Sequence, residues 1–155
     1  MIRHTAIKLQ SGALPFRMGD DGKPEVLLVT TGPRRRWGIP KGTAEPYLTL
    51  DQNAAKEALE EAGVVGRIAM RASGKFRTTK RRGEVERLLE VWVYMLKVEG
   101  VADIWPERAR RRTKWVSARE AAKILREPFL SELCRNLARA KSASEAIAIS
   151  LLPGV

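Results

Sequence analysis

Cysteine and histidine are nearly absent, with one of each in 155 residues. The single thiol, Cys134, cannot close an internal disulfide, which excludes a disulfide-stapled scaffold and suits a reducing compartment. It lies in an apolar helical pattern and reads as a small buried hydrophobe rather than a nucleophile. His4 stands at the start of a strand-like stretch and reads as structural or exposed rather than catalytic. No apolar run is long enough to span a bilayer, and the first residues, M-I-R-H-T-A-I-K, lack a signal-peptide core. The expected compartment is therefore the cytoplasm. Acidic residues are also scarce: 18 Asp and Glu stand against 29 Lys and Arg.

What is present is a foldable, strongly basic chain. Hydrophobic residues make up 44% and charged residues 30%, which argues against disorder. The length suits a single domain. We assign that domain to residues 1–141, with 142–155 as a C-terminal extension carrying a short amphipathic helix. A net charge of +11 attracts polyanions. Nucleic acid and a small, densely phosphorylated ligand explain it equally well. The cations are grouped: Arg34, Arg35 and Arg36 with Lys41; Lys75, Arg77, Lys80, Arg81 and Arg82; and the run from Arg108 to Arg112, which includes Arg111.

The stretch from Lys41 to Val64 organises the rest. Thr49 is a plausible N-cap, and Gln52, three residues on, completes a capping box. Good helix formers fill 50–62, and Gly63 suits the left-handed residue beyond a helix end. Ala55, Ala58, Leu59 and Ala62 are expected to share the apolar face. Glu57 and Glu61, spaced i,i+4, fall opposite, with Glu60 beside them. This cluster reads either as a solvated acidic face or as a divalent-cation site, since hard cations take carboxylate oxygens and share them with substrate phosphates.

On either side the pattern is mainly strands. Residues 2–10 read as a first strand, with 12–17 continuing it after a kink at Gly12. G-D-D-G-K-P at 19–24 is a turn signal. The apolar run 25–31 reads as a central buried strand. Residues 32–41 read as a loop anchored by Trp37. Its arginines form a solvated corner or, just before the glutamate helix, bind substrate phosphates. A long strand is expected over 64–78, a polar tip at 78–84, and a strand over 85–98. A loop at 99–107 and a short strand at 113–116 follow. Two helices are expected at 117–125, capped by Ser117, and at about 128–141. Strands interrupted by one helix and followed by two predict an α/β fold with helices on both sheet faces.

The helix region resembles the Nudix box, G-x5-E-x7-R-E-U-x-E-E-x-G-U, where U is aliphatic. Gly42, Glu57, Glu60, Glu61 and Gly63 match fixed positions, and Ala58 and Val64 fill the U positions. Two residues depart: Leu48 replaces a Glu and Lys56 replaces an Arg. The runs V-L-L-V-T-T, R-W-G-I-P-K-G, V-W-V-Y-M-L-K-V, W-P-E and R-R-R-T-K-W-V-S resemble the diphosphoinositol polyphosphate phosphohydrolase branch, which also includes enzymes acting on diadenosine polyphosphates. The similarity covers roughly residues 3–140.

The resemblance implies a Nudix α/β/α sandwich with a mixed sheet, and hydrolysis of a pyrophosphate link. It implies Mg²⁺, with Mn²⁺ as a substitute, held by Glu57, Glu60, Glu61 and a carbonyl oxygen near Gly42. Glu60 is a further ligand or the base that orients water. Arg34, Arg35, Arg36, Lys41, Gly42, Lys75, Arg77 and Arg111 are the expected substrate contacts. A glutamate outside the box often contributes in this family, and Glu84, Glu86 and Glu90 are the candidates. The expected substrate is an inositol pyrophosphate or a diadenosine polyphosphate. The alternatives are another nucleoside polyphosphate, a capped RNA end, or a non-catalytic Nudix-fold module that binds a polyanion. Nucleic acid is a less favoured partner, no membrane is involved, and the oligomeric state is open.

Overall fold

The structure, a computed structural model, describes residues 3–4 and 6–152. In chain order it contains β1 (Arg3–His4), β2 (Lys8–Met18), β3 (Pro24–Thr31), β4 (Arg36–Gly38), β5 (Lys41–Thr43), α1 (Leu50–Ala62), β6 (Val64–Ile68), β7 (Gly74–Arg82), β8 (Val85–Val101), β9 (Thr113–Ser117), α2 (Ala118–Ile124), α3 (Pro128–Leu137) and α4 (Ala143–Ser150). The expectations for Ile2 and for the His4 side chain fall outside what is described.

The sheet is mixed. Its spine runs β1-β8-β2-β3-β4, with β5 on β2, β6 and β7 on β8, and β9 on β3. β2 lies parallel to β8, and the hairpin and edge pairings are antiparallel, apart from the short β1. Alternation along the central strands sends side chains to both faces. Leu14, Phe16, Val26, Leu28, Val91, Val93 and Met95 pack under α2, α3 and α4. Ala13, Leu27, Tyr94 and Leu96 pack under α1. Helices therefore cover both faces, as the sequence predicts. Among the described residues no helix is long and apolar enough to cross a membrane.

Several elements differ from expectation. The stretch 64–78 is not one strand. β6 pairs with the far half of β8 and β7 with its near half, and the regular pairing breaks in a step at 69–73, where only the Ala69 and Ser73 N–H groups bond Met95 O and Val93 O of β8. β8 is long enough, at 17 residues, to template both. The step ends at Gly74, where a Cβ would meet the Phe129 ring. The loop 32–41 contains β4 and reaches the start of β5, because Trp37 and Gly42 find partners on β3 and β2. β2 runs straight through Gly12 without a kink. A Cβ there would lie 2.8 Å from both Lys41 Cβ and Pro40 O, so the glycine serves close approach of β5. α3 ends at Leu137 rather than near 141, because Ser142 opens α4 by accepting the Glu145 N–H at 3.1 Å. α4 buries Ala146 in the same core as α3.

Helix α1 is built as its capping residues predict. Gln52 accepts the Thr49 N–H at 3.1 Å, and Gly63 closes the helix at φ 70°. Its orientation is the correction. Ala54, Ala58 and Ala62, not Ala55 and Leu59, make the contact with the sheet, and Leu59 is 38% exposed. Rolling the helix onto an all-alanine stripe brings it close to the sheet. Asn53, Glu57 and Glu61 then turn inward rather than to solvent.

Candidate active site

Two acidic side chains define the site. Glu57 and Glu61 are 8% and 4% exposed, unusually low for carboxylates. They face β5, which follows the last turn of the loop from β4. The Lys41 N–H donates to Glu61 Oε1 at 3.3 Å. The Glu57 carboxylate lies directly against the Gly42 Cα, where any Cβ would overlap it. Asn53, one turn earlier, sets this spacing. Its Nδ2 donates to Ser11 Oγ at 2.9 Å and reaches Gly42 O at 3.5 Å, while its Oδ1 accepts the Glu45 N–H at 3.3 Å. One buried amide thus fixes α1, β2 and β5 together. Asn53 was not singled out in the sequence. Its signal was available: it lies i,i+4 before Glu57 and i,i+8 before Glu61 on the same stripe.

Glu60 does not join them. It pairs with Lys56 at 3.2 Å, and its side chain is 34% exposed. Among the described residues, no three histidine, cysteine or acidic side chains converge as a ready metal cluster. Of the outlying glutamates, Glu90 is held by Lys75 and Arg77, each at 3.4 Å. These three alternate with Phe76, Leu89 and Val91 and so stand on the sheet face away from the groove. Glu84 and Glu86 lie at the exposed end of the β7–β8 hairpin.

The carboxylate beside the site is one the sequence reading passed over, Glu107. Arg111 donates from Nε to Glu107 Oε1 at 2.9 Å and from Nη1 to Thr30 O at 2.9 Å, and its Nη2 lies 3.5 Å from Glu61 Oε2. The Glu107 N–H bonds Glu60 O at 2.9 Å, which ties this loop to the end of α1. The W-P-E-R-A-R-R-R sequence spaces Glu107 and Arg111 as an i,i+4 pair, and that spacing was the available signal.

A groove of about 740 Å³ opens beside the carboxylates. Lys41, Arg36, Lys80, Arg111 and Arg126 supply its cations. Trp37, Ile39, Phe76 and Leu130 form an apolar floor. Arg34 and Arg35 occupy the exposed turn between β3 and β4 and do not line it. Of the expected substrate contacts, the fold therefore brings Arg36, Lys41, Gly42 and Arg111 together and leaves Arg34, Arg35, Lys75 and Arg77 apart.

Burial dominates the electrostatics. It pushes the Glu61 carboxyl up to about 8 against the pull of Arg111, with Glu57 adding to the rise. Glu57 is raised too, by burial first, with Lys56 opposing and Glu60 reinforcing. Burial lowers Lys41, and Glu61 partly offsets it. Two inward carboxylates thus share too little positive charge. Hard oxygen donors crowded against a backbone that only glycine permits, with the Gly42 carbonyl steadied by Asn53, form a donor set that fits a divalent cation.

A pH dependence follows. The folded-state pKa of Glu61, about 8, lies above its ordinary value of 4.5, so protonation favours the fold. Its contribution to stability is complete at acid pH and is lost as pH rises through about 8. The metal-free protein should therefore melt progressively lower across that window. Mg²⁺ at a hundredfold its dissociation constant should add ~2.7 kcal/mol, about 5–10 °C at this size. Differential scanning fluorimetry with and without EDTA checks both. A flat, metal-insensitive midpoint across the window would remove the carboxylate pair as a cation site.

The NUDIX domain family model matches residues 8–137. Nudix hydrolase 12, mitochondrial, of Arabidopsis thaliana is 31% identical over 148 residues, 85% of this chain and 73% of that protein. Diphosphoinositol polyphosphate phosphohydrolase 3-beta of Bos taurus is 30% identical over 135 residues, 84% of this chain and 77% of that one. Among solved structures, the binary complex of a C. elegans Ap4A hydrolase superposes with a TM-score of 0.60 at 22% identity, covering 83% of this chain and 93% of that chain. The chain belongs to the NUDIX domain family and is a pyrophosphohydrolase of it.

Proposed function

We propose that the chain hydrolyses the anhydride of a polyphosphate that also carries an apolar ring system, of the diadenosine polyphosphate type, with Mg²⁺ as its cofactor. One observation carries this reading: the groove joins Glu61 of the buried carboxylate pair, with the Gly42 backbone and the cations beside it, to an apolar floor of Trp37, Ile39 and Phe76. A substrate made only of phosphates and hydroxyls leaves that floor unused, whereas a nucleobase covers it. The inositol pyrophosphate reading keeps the support of the net charge and of the Bos taurus relative.

Glu57, Glu61 and the Gly42 carbonyl would hold the cation, with Glu60 outside them on Lys56. When bound, Mg²⁺ supplies charge neutralisation at the phosphorus under attack by water. The remaining work belongs to the chain. Arg111, anchored by Glu107 and Thr30, presents a fixed guanidinium at the Glu61 end of the groove. Such a fork binds phosphate oxygens bidentately. Lys41 and Arg36 neutralise the flanking phosphates, and the apolar floor orients the leaving group so that the anhydride faces the carboxylates. The single buried cysteine is compatible with a reducing compartment such as the cytoplasm, which we retain as the expected location.

The test is phosphate release from diadenosine polyphosphates, an inositol pyrophosphate, nucleoside triphosphates and a nucleotide sugar, each with Mg²⁺ and with chelator. The expected result is chelator-sensitive turnover, highest for the diadenosine compounds. Preference for the inositol compound would overturn the role given to the apolar floor. Chelator-insensitive turnover would overturn the cofactor.

A further inference from the structure

A second groove, of about 620 Å³, lies between α2 and α3 and shares no lining residue with the first. Arg119 and Lys123 of α2 form one wall, Arg135 of α3 and Arg139 just beyond it form the other, and Ala122 and Ala138 lie between. Each cationic pair is spaced i,i+4; Arg119 and Lys123 share one face of α2, and Arg139 stands in the turn that follows α3. All four residues are exposed.

Helix energetics does not account for the arrangement. Lys123 and Arg135 occupy last turns, where the helix dipole favours a cation. Arg119 occupies the first turn of α2, where the dipole opposes it, and both i,i+4 pairs are of like charge. Local pairing does not account for it either. Elsewhere Arg17 holds Glu25, Lys56 holds Glu60, Lys75 and Arg77 share Glu90, and Arg111 holds Glu61 and Glu107. Among the described residues, none of the four groove cations comes within 4.0 Å of a carboxylate.

We propose that this groove is an accessory binding site for a small anion bearing several phosphate groups. Three guanidinium forks and one ammonium match clustered tetrahedral oxyanions. The small alanines between them leave the space open, and the volume falls in the usual range for small-molecule sites. The shape favours a compact anion over a long strand, because the groove ends with its helices of seven and ten residues. The site has a route to the catalytic groove. The α2–α3 connector contributes Leu125, Arg126 and Glu127 to the wall of that groove, so an anion clamping both helices fixes the connector.

The experiment follows backbone amide resonances of the full chain in EDTA, titrated with inorganic tripolyphosphate and, separately, with a single-stranded oligoribonucleotide. Tripolyphosphate is expected to give saturable shifts at 119–123 and 135–139, distinct from those at Lys41 and Lys80. Arg135→Ala/Arg139→Ala should weaken binding read at 119–123 by at least about tenfold, and leave the catalytic-groove shifts titrating as before. Arg135→Lys/Arg139→Lys keeps the charge without the forks and should retain part of the affinity. It carries the test if the alanine pair does not fold. Unchanged affinity in both variants, or unsaturable shifts spread over the whole basic surface, would overturn the proposal. So would saturation by the oligoribonucleotide without saturation by tripolyphosphate.

Discussion

Glu61→Gln should lose about 10³-fold in Mg²⁺-dependent turnover, or ~4 kcal/mol of transition-state stabilisation at 1.36 kcal/mol per decade. The substitution is nearly isosteric. Its carbonyl oxygen can still accept the Lys41 N–H, and Arg111 keeps Glu107 and Thr30 O, both at 2.9 Å. What disappears is one of two buried negative charges. Burial has pushed that carboxyl up to about 8, so its ionised form opposes the metal-free fold. The variant's metal-free melting point at pH 8 should therefore equal or exceed that of the wild type, while its stabilisation by Mg²⁺ falls away. Loss of activity with a retained or raised melting point separates a charge requirement from a folding defect. Wild-type turnover with wild-type metal dependence would remove Glu61 from the machinery.

The local signals around this residue were legible in the sequence because they are local. Thr49, Gln52 and Gly63 act through neighbours within a turn, and the helix begins and ends where they place it. The spacing of Gly42, Glu57, Glu60 and Glu61 likewise needs only the linear pattern. The roll of the helix was not legible. Ala54, Ala55, Ala58 and Ala62 compete for one apolar face, and the choice among them depends on how close the sheet lets the helix approach. That choice decides whether Glu57 and Glu61 are solvated or buried, and it separates them from Glu60. The cation clusters failed for a related reason. Lys75 and Arg77 sit one residue off the groove parity set by Phe76 and Thr78, and strand parity is fixed by pairing with a distant strand. Glu107 and its pairing with Arg111 were hidden because the β8–β9 connection has no periodicity, and only the fold returns it to α1.

Gly42→Ala tests whether backbone, rather than ligand count alone, sets the site. The new Cβ would overlap the Glu57 carboxylate. β5 has little room to retreat, because it pairs with β2 at Gly12, where even an added Cβ would lie only 2.8 Å from Lys41 Cβ and Pro40 O. Glu57 must therefore move. We expect the Mg²⁺ needed for half-maximal turnover to rise about 10–100-fold, with an overpacking cost of about 1–3 kcal/mol. Both effects arise from one collision, so a shorter side chain at 57 should relieve it. Glu57→Asp withdraws the carboxylate by one methylene. Alone it should weaken the site, because the carboxylate no longer reaches its place beside Gly42. Combined with Gly42→Ala, it should cost less than the sum of the two single variants, in both metal requirement and urea midpoint. A coupling of this sign is what residues in direct contact show in a double-mutant cycle. Additive effects would mean that Gly42→Ala acts elsewhere. The glycine at the head of the box would then be required for the path of the chain between β5 and β2, and not for the space occupied by Glu57.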